Sequence, residues 1–308
     1  MKSLSTIKEE NLLRNPETFY GIKDLDVGFE KKPFHTNSVF EVINLELNFN
    51  YKPFFSKFKE IYKSTDDILK TPLYLSKSKL YSTCLILIHG FKSKNKKIYI
   101  QLAERFCRKG ISAVVYTLPF HFERSLNDSK VNVILNKPDF SATIELFRQT
   151  VIELRILINI IKSYGYEKVG CLGFSFGGYC CSLLACFEKD LDFSIPMGSK
   201  GDFNSLINLK SNKKNTISTE KDFSFNKYLS EDYIKLICPI NYKPIIDKKN
   251  ILFIQGLFDH RAPFKDIKKL RKAWNYPPVI WYPCEHSTFF LFNRLTLILA
   301  ANFIEKLS

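Results

Sequence analysis

A serine in a glycine-rich turn is the residue in this chain best suited to chemistry. Ser175 lies in the run Gly173-Phe174-Ser175-Phe176-Gly177, after an apolar stretch and before a second glycine, Gly178. In a G-x-S-x-G pattern, a sharp turn from strand to helix strains the serine backbone and exposes its hydroxyl. Residues two before and two after the serine must then lack side chains. The pattern predicts a nucleophile, with the Phe176 N–H directed at the developing oxyanion.

A candidate acid and a candidate base follow the serine along the chain. Asp259 comes after the strand predicted over Ile251–Gln255, and His286 comes after the strand predicted over Val279–Tyr282. Because ligands bind at the carboxyl ends of parallel strands, we expect both side chains near the serine. His286 would take the serine proton, and Asp259 would orient the imidazole. Asp202, which follows the preceding predicted strand, is the alternative acid.

The chain order nucleophile, acid, base resembles that of the α/β-hydrolases. The resemblance extends from about residue 80 to the C-terminus. The segments that carry the resemblance are Leu118–Arg124, Gly165–Gly170 and Ser182–Pro196. The chain is similar to the dienelactone-hydrolase-like and serine-esterase-like branches, and to a group related to α/β-hydrolase domain-containing protein 18. This resemblance implies an α/β-hydrolase fold with serine hydrolase activity. Many relatives carry glycine before the catalytic histidine; here Glu285 would raise the basicity of His286 or displace it.

The loop after another predicted strand supplies the rest of the expected oxyanion hole. The apolar strand Cys84–Ile88 leads into His89-Gly90-Phe91. An oxyanion hole needs two backbone donors, so Phe91 N–H is expected to act beside the N–H of Phe176. His89 is expected to brace the loop.

A further loop contributes candidate substrate-binding residues. His121 and Arg124 follow the strand predicted over Ile111–Thr117, at the mouth of the expected site. Arg124 could bind a substrate carboxylate or phosphate through two parallel hydrogen bonds. The alternative is an internal salt bridge to Glu123 or Asp128 that holds the loop in place.

Composition bounds the class of protein. The 308 residues, 45% hydrophobic and 15% aromatic, suffice for one large α/β domain. The net charge is +15, but the lysines are scattered and form no nucleic-acid-binding motif, so no nucleic-acid partner is expected. The N-terminus lacks the apolar core of a signal peptide, and Leu295–Ile304 is too short to span a bilayer.

The cysteines favour a reducing compartment. None of the eight forms a C-x-x-C pair, and most fall on predicted core elements. A buried cysteine behaves as a small hydrophobic residue, so we expect reduced thiols and a cytoplasmic location. The spacing also argues against zinc, and no metal or cofactor is expected.

Alternating apolar strands and amphipathic helices after residue 80 predict a mostly parallel sheet with helices on both faces. Residues 1–80 are expected to form an N-terminal arm and edge strands, with 1–36 irregular and an antiparallel strand or hairpin over Val39–Phe49. Residues 81–308 would form the hydrolase domain. The polar stretch 202–249 is expected to be a small lid.

The resulting hypothesis is a serine hydrolase that cleaves a small-molecule ester or thioester through Ser175, His286 and Asp259, with an acyl-enzyme intermediate. The triad pattern does not separate this activity from that of a peptidase, an amidase or an acyltransferase. A non-catalytic α/β-hydrolase fold that only binds a ligand is the alternative from another class.

Overall fold

The computed structural model of the protein describes eight ranges of the chain: residues 15–22, 27–36, 40–49, 51–54, 70–78, 82–125, 140–202 and 234–307. Asp128 and most of the expected lid, residues 203–233, lie outside these ranges. The lid and the division of the chain near residue 80 therefore stay predictions.

The described strands form one mixed sheet. They are β1 Val27–Thr36, β2 Phe40–Phe49, β3 Lys70–Ser78, β4 Thr83–Ile88, β5 Ser112–Tyr116, β6 Lys168–Phe174, β7 Phe193–Met197, β8 Phe253–Gly256 and β9 Val279–Tyr282. Their order in the sheet is β1-β2-β3-β5-β4-β6-β7-β8-β9. Pairing is antiparallel from β1 to β5 and parallel from β5 to β9, so the predicted mostly parallel sheet is confirmed.

Helices cover both faces of the sheet. They are α1 Pro16–Phe19, α2 Lys97–Arg108, α3 Phe140–Ser163, α4 Phe176–Phe187, α5 Phe264–Ala273 and α6 Asn293–Glu305. All six residues of β4 are buried, because alternate residues face opposite layers. Ile86 packs in the layer with α3, α4 and α5, whereas Leu87 packs with α2 and α6. Burial on both faces explains why the parallel strands read as continuous apolar runs.

The N-terminal part contains more regular structure than its sequence indicates. The stretch expected to be irregular includes β1, which pairs along its length with β2, and the bounds of β3 were not predicted. Gly28, Pro33 and two adjacent lysines hide the alternation in β1, and its register shifts between Pro33 and His35. Its strand conformation therefore depends on the partner strand more than on local propensity.

A 3₁₀ helix precedes the last α-helix. Residues His286–Phe292 form the 3₁₀ helix, and α6 begins at Asn293. By length and composition, the whole stretch His286–Glu305 could cross a membrane. This is weak support for a span, since core helices of globular proteins pass the same test. The absence of a membrane span stays a prediction.

Candidate active site

The backbone at Ser175 has the strain that the sequence predicts. Ser175 joins β6 to α4 with φ 56° and ψ −112°, a region that residues with a side chain rarely occupy. Its N–H donates to the carbonyl of Met197 on the neighbouring strand at 2.8 Å. A strained residue persists only where its surroundings enforce it, and such residues concentrate at functional sites.

The flanking glycines are needed for steric reasons. A Cβ on Gly173 would lie 2.3 Å from the backbone of Gly177, and one on Gly177 would lie 2.3 Å from the carbonyl oxygen of Ile88. A Cβ on Gly178 would lie 2.8 Å from the carbonyl oxygens of Gly173 and Met197. These contacts are with backbone, which cannot move aside cheaply. The tight packing of α4 on the sheet therefore requires all three glycines.

The structure brings Ser175, His286 and Asp259 together. His286 Nε2 lies 2.9 Å from Ser175 Oγ, and its Nδ1 lies 2.7 Å from Asp259 Oδ2. Because a carboxylate only accepts, Nδ1 carries the proton, and Nε2 is left to accept from the serine hydroxyl. Asp202, the alternative acid, instead accepts a hydrogen bond from the Cys238 thiol at 3.8 Å.

The Asp259 carboxylate is held by its own loop. It is buried, and Oδ1 accepts from the N–H groups of Arg261 at 2.9 Å and Ala262 at 2.7 Å. These bonds leave Oδ2 directed at the imidazole. Asp259 therefore both stabilises the turn before α5 and orients His286.

Glu285 does not displace the imidazole. It is the N-cap residue of the 3₁₀ helix, and its side chain accepts from the Thr288 N–H, while Thr288 Oγ1 accepts from the Glu285 N–H at 3.0 Å. This reciprocal capping box fixes the start of the helix that carries His286. Glu285 thus has a local structural role at this position.

The two expected oxyanion donors belong to segments that lie next to the nucleophile. Phe176 is the first residue of α4, so its N–H belongs to the helix-terminal groups that have no intrahelical acceptor. Phe91 follows β4 in the adjacent loop, and its ring centroid lies 6.1 Å from that of Phe176. A Cβ on the intervening Gly90 would lie 3.4 Å from the Ser175 Cβ, which shows how closely this loop approaches the elbow.

Two buried histidines brace the loop after β4, which carries Phe91. His121 Nε2 accepts from Lys92 N–H at 2.9 Å, and its Nδ1–H donates to the carbonyl of Pro119 at 2.8 Å. His89 Nε2 accepts from Leu118 N–H at 3.0 Å. Each ring must be neutral to accept at Nε2. Burial lowers the pKa of His89 to about 3 and that of His121 to about 4. His121, expected to bind substrate, thus positions the loop after Phe91.

We expect these histidines to make stability pH-dependent. Both pKa values are depressed from 6.5, so the unfolded chain binds more protons below that pH. Their contribution is complete above pH 6.5 and is lost as pH falls through about 4 and then 3. His121→Gln should reduce the slope of unfolding free energy against pH by about 1.4 kcal/mol per pH unit between pH 4 and 6.5, measured by urea denaturation. His260→Gln, at an exposed site, is the control. An unchanged slope in His121→Gln would contradict the assignment.

Arg124 does not face the expected substrate cavity. Its side chain is buried, with Nη1 and Nη2 each 2.7 Å from the carboxylate oxygens of Glu153 on α3. Nη1 also donates to the carbonyl of Thr117 at 2.9 Å. The prediction of substrate binding by Arg124 is therefore wrong. The salt-bridge alternative holds, but with Glu153 as partner, since Glu123 instead pairs with Lys96.

Sequence reasoning missed Glu153, which is the centre of a buried polar network. Besides Arg124, it accepts from Gln149 Nε2 at 2.7 Å, from Thr71 Oγ1 at 3.2 Å and from the Tyr116 hydroxyl. A signal was present in the sequence. Glu145, Gln149 and Glu153 recur every four residues, which places these three polar side chains along one face of the helix.

Aromatic rings surround the candidate site. The Phe174 ring lies 5.0 Å from that of His286 and 5.3 Å from that of Phe289, measured between centroids. On the other side, Phe147 stacks on Phe176 at 4.3 Å. These rings shield the imidazole from water. The side chains that surround the candidate site are therefore mainly apolar.

One cavity of the molecule lies away from the candidate site. A cavity of about 500 Å³, lined by residues that include Lys168, Asp192 and Lys249, opens where β6 and β7 begin, at the sheet edge opposite Ser175. Among the described residues, no cluster of three His, Cys, Asp or Glu side chains could hold a metal ion. All eight cysteines are buried, and none of them forms a disulfide.

Sequence comparison gives distant relatives only. No family model matches the chain. Two uncharacterized proteins of Mycobacterium tuberculosis, from strains CDC 1551 / Oshkosh and ATCC 25618 / H37Rv, are each 25% identical to it over 189 residues. The match covers 59% of this chain and 43% of each relative, so the chain spans less than half the length of these proteins.

Solved structures share the fold. Acetyl xylan esterase 1 from Thermoanaerobacterium sp. JW/SL YS485 matches with a TM-score of 0.64 and 15% identity, over 98% of this chain and 99% of that one. The acetyl xylan esterase from Paenibacillus sp. R4 gives 0.63 and 11%, over 97% and 99%. Thermogutta terrifontis esterase 2, phosphonylated by sarin, gives 0.57 and 13%, over 80% and 94%. The chain therefore has the α/β-hydrolase fold, as predicted.

Proposed function

We propose that the protein is a serine hydrolase that cleaves a carboxylic ester or thioester. The observation that carries the proposal is the pair of hydrogen bonds that link Ser175, His286 and Asp259, 2.9 and 2.7 Å long, at a strained turn. The fold neighbours support the same class, because the three described above are named as esterases.

In the proposed acylation, Ser175 Oγ attacks the carbonyl carbon and its proton passes to His286 Nε2. The positive charge that develops on the imidazole is stabilised by the Asp259 carboxylate 2.7 Å from Nδ1. The Phe91 and Phe176 N–H groups would bind the carbonyl oxygen as it becomes an oxyanion. The bond to the leaving oxygen or sulfur then breaks, and the imidazolium protonates the departing alcohol or thiol.

In the proposed deacylation, a water molecule takes the place of the leaving group. His286 removes its proton as the water oxygen attacks the acyl carbon, and the same N–H groups bind the second oxyanion. The bond to Ser175 Oγ breaks, the serine regains its proton from His286, and a carboxylic acid leaves.

The surroundings favour an apolar acyl group. Phe174 and Phe289 lie beside the base, and Phe91 and Phe176 lie beside the expected oxyanion hole. Apolar walls with few polar groups bind hydrocarbon better than sugar or peptide. Since Arg124 is engaged with Glu153, it supports no preference for an anionic substrate.

A panel of p-nitrophenyl esters of increasing acyl length tests the function. We expect hydrolysis of these esters and of matched thioesters, with kcat/KM rising with chain length until the pocket is filled. Matched p-nitroanilides test the amidase alternative, because the triad geometry alone is common to both activities. Folded protein that hydrolyses none of these compounds would favour the non-catalytic binding protein.

A further inference from the structure

Exposed apolar side chains concentrate at one edge of the molecule. Among the described residues, eleven large hydrophobic side chains are exposed, by 39% to 67%. Three of them, Tyr164, Ile245 and Tyr276, lie toward the edge where the parallel strands begin. The other eight lie where these strands end, at the edge that carries Ser175, except that Ile298 lies about midway along α6. We call this edge the catalytic edge.

Four of the eight belong to loops and a helix start beside the site. Phe91 and Ile98 lie in the loop after β4 and in the first turn of α2, and Leu257 and Phe258 follow β8. The last two are held on ordered backbone: Leu257 N–H donates to the Tyr282 carbonyl at 2.8 Å, and Phe258 N–H donates to the Cys284 carbonyl at 3.1 Å. These hydrogen bonds fix the backbone of Leu257 and Phe258, so the exposure of both side chains is a feature of the folded structure.

The remaining four are Phe290, Leu291, Leu295 and Ile298, which follow His286. Phe290 and Leu291 lie in the 3₁₀ helix, and Leu295 and Ile298, three residues apart, lie on one side of α6. The inner side of α6 is already packed on the core through other apolar residues. Exposed apolar patches of this kind mark surfaces that contact protein or membrane. We call the eight exposed side chains the apolar rim.

The exposed charges in these segments are mostly positive. Their exposed charged residues comprise six cations and one carboxylate, Glu285. The cations are Lys92, Lys94, Lys97, Arg261, Lys265 and Arg294. A second copy of this chain placed face to face on the rim would bring these like charges together. An anionic surface would instead attract them, and clustered Lys and Arg next to exposed apolar side chains are the pattern of peripheral membrane binding.

We propose that the catalytic edge docks on an anionic lipid bilayer, with the apolar rim inserted at the headgroup level and the surrounding cations against the lipid phosphates. Docking of this kind would not span the membrane. Docking would open the candidate site toward the bilayer, so that an ester reaches Ser175 from the lipid. Only this last consequence rests on the proposed function; the docking itself does not.

Vesicle flotation tests the docking. The full chain carrying Ser175→Ala is mixed with vesicles of phosphatidylcholine, with or without phosphatidylserine, so that turnover plays no part. We expect binding to the phosphatidylserine vesicles that weakens with added salt. The double substitution Phe290→Ser and Leu291→Ser should lower the binding constant by about tenfold or more, because two exposed apolar side chains are lost. The matched control, Ile245→Ser and Tyr276→Ser at the opposite edge, should bind as the parent does.

Several results would overturn the proposal. One is no binding to either vesicle. Another is binding that depends on salt but is equal in the Phe290/Leu291 and Ile245/Tyr276 variants, which would reflect lysine attraction alone. A third is a dimer, seen by light scattering, that the Phe290/Leu291 variant dissociates, since a second copy would then cover the rim. Turnover of soluble p-nitrophenyl esters, measured separately, distinguishes the two hypotheses: turnover without vesicle binding refutes docking alone, and binding without turnover refutes the hydrolase alone.

Discussion

Replacing Ser175 with alanine is expected to lower ester turnover by about 10⁴- to 10⁶-fold while leaving the protein folded. The loss follows because the attacking oxygen is removed, and no neighbouring thiol can replace it: all eight cysteines are buried. A fluorophosphonate probe, which phosphonylates an activated serine, should label the parent protein and not Ser175→Ala. Turnover of an activated p-nitrophenyl ester gives the size of the effect.

Two further variants make this result specific. Ser287→Ala removes an exposed hydroxyl next to His286 and should keep both labelling and turnover. Asp259→Asn keeps the shape of the acid but should cost about 10⁴-fold in kcat, because the imidazole loses its tautomer and the stabilisation of its charge. Labelling that persists in Ser175→Ala would rule out Ser175 as the nucleophile. A folded parent protein that the probe does not label would rule it out as well.

Replacing Glu153 with alanine is expected to lower the unfolding free energy by about 3–5 kcal/mol. Both partners of its bidentate pair with Arg124 are fully buried. Burial lowers the pKa of the Arg124 guanidinium, but the attraction and hydrogen bonds of Glu153 and Tyr116 together raise it, so the arginine stays charged. Without the carboxylate, that charge would be buried uncompensated. Since the unfolding free energy of a domain is only about 5–15 kcal/mol, the variant should retain little of it at 25 °C. Urea denaturation measures the difference.

A double substitution separates the effect of the uncompensated buried charge from the effect of lost packing. Combining Glu153→Leu with Arg124→Met removes both charges and should recover a large part of the stability, because a buried ion pair replaced by apolar groups is often close to neutral. Lys189→Ala breaks the exposed pair with Asp190 and should change stability little. If Glu153→Ala were as mild as Lys189→Ala, the buried network would not hold the loop after β5.

The candidate chemistry could be read from the sequence because its requirements are local. The steric demands of the turn act within five residues, so the spacing of Gly173, Ser175 and Gly177 predicts the strained φ that the structure has. The chain order then places Asp259 and His286 after strands of one sheet, and parallel strands end at a common edge. That topology brought the three side chains within hydrogen-bonding distance.

The role of Arg124 could not be read in the same way. Its sequence neighbours offered Glu123 and Asp128 as partners, and a substrate anion was equally consistent with its position. Glu153 lies 29 residues away on α3, and only the packing of that helix against the loop brings the two charges together. For the same reason, His121 appeared to face a substrate, whereas its hydrogen bonds are to the backbone of Pro119 and Lys92.

The sequence by itself determined the order of the central elements and the residues capable of chemistry, because apolar periodicity and turn sterics act between near neighbours. Tertiary structure decided the rest. The strand β1 exists because β2 pairs with it, and Glu285 caps a helix because Thr288 folds back to it. The direction in which Arg124 and His121 point depends on contacts made from distant parts of the chain. Such contacts depend on which surfaces meet in the folded state, and a single sequence does not specify that locally.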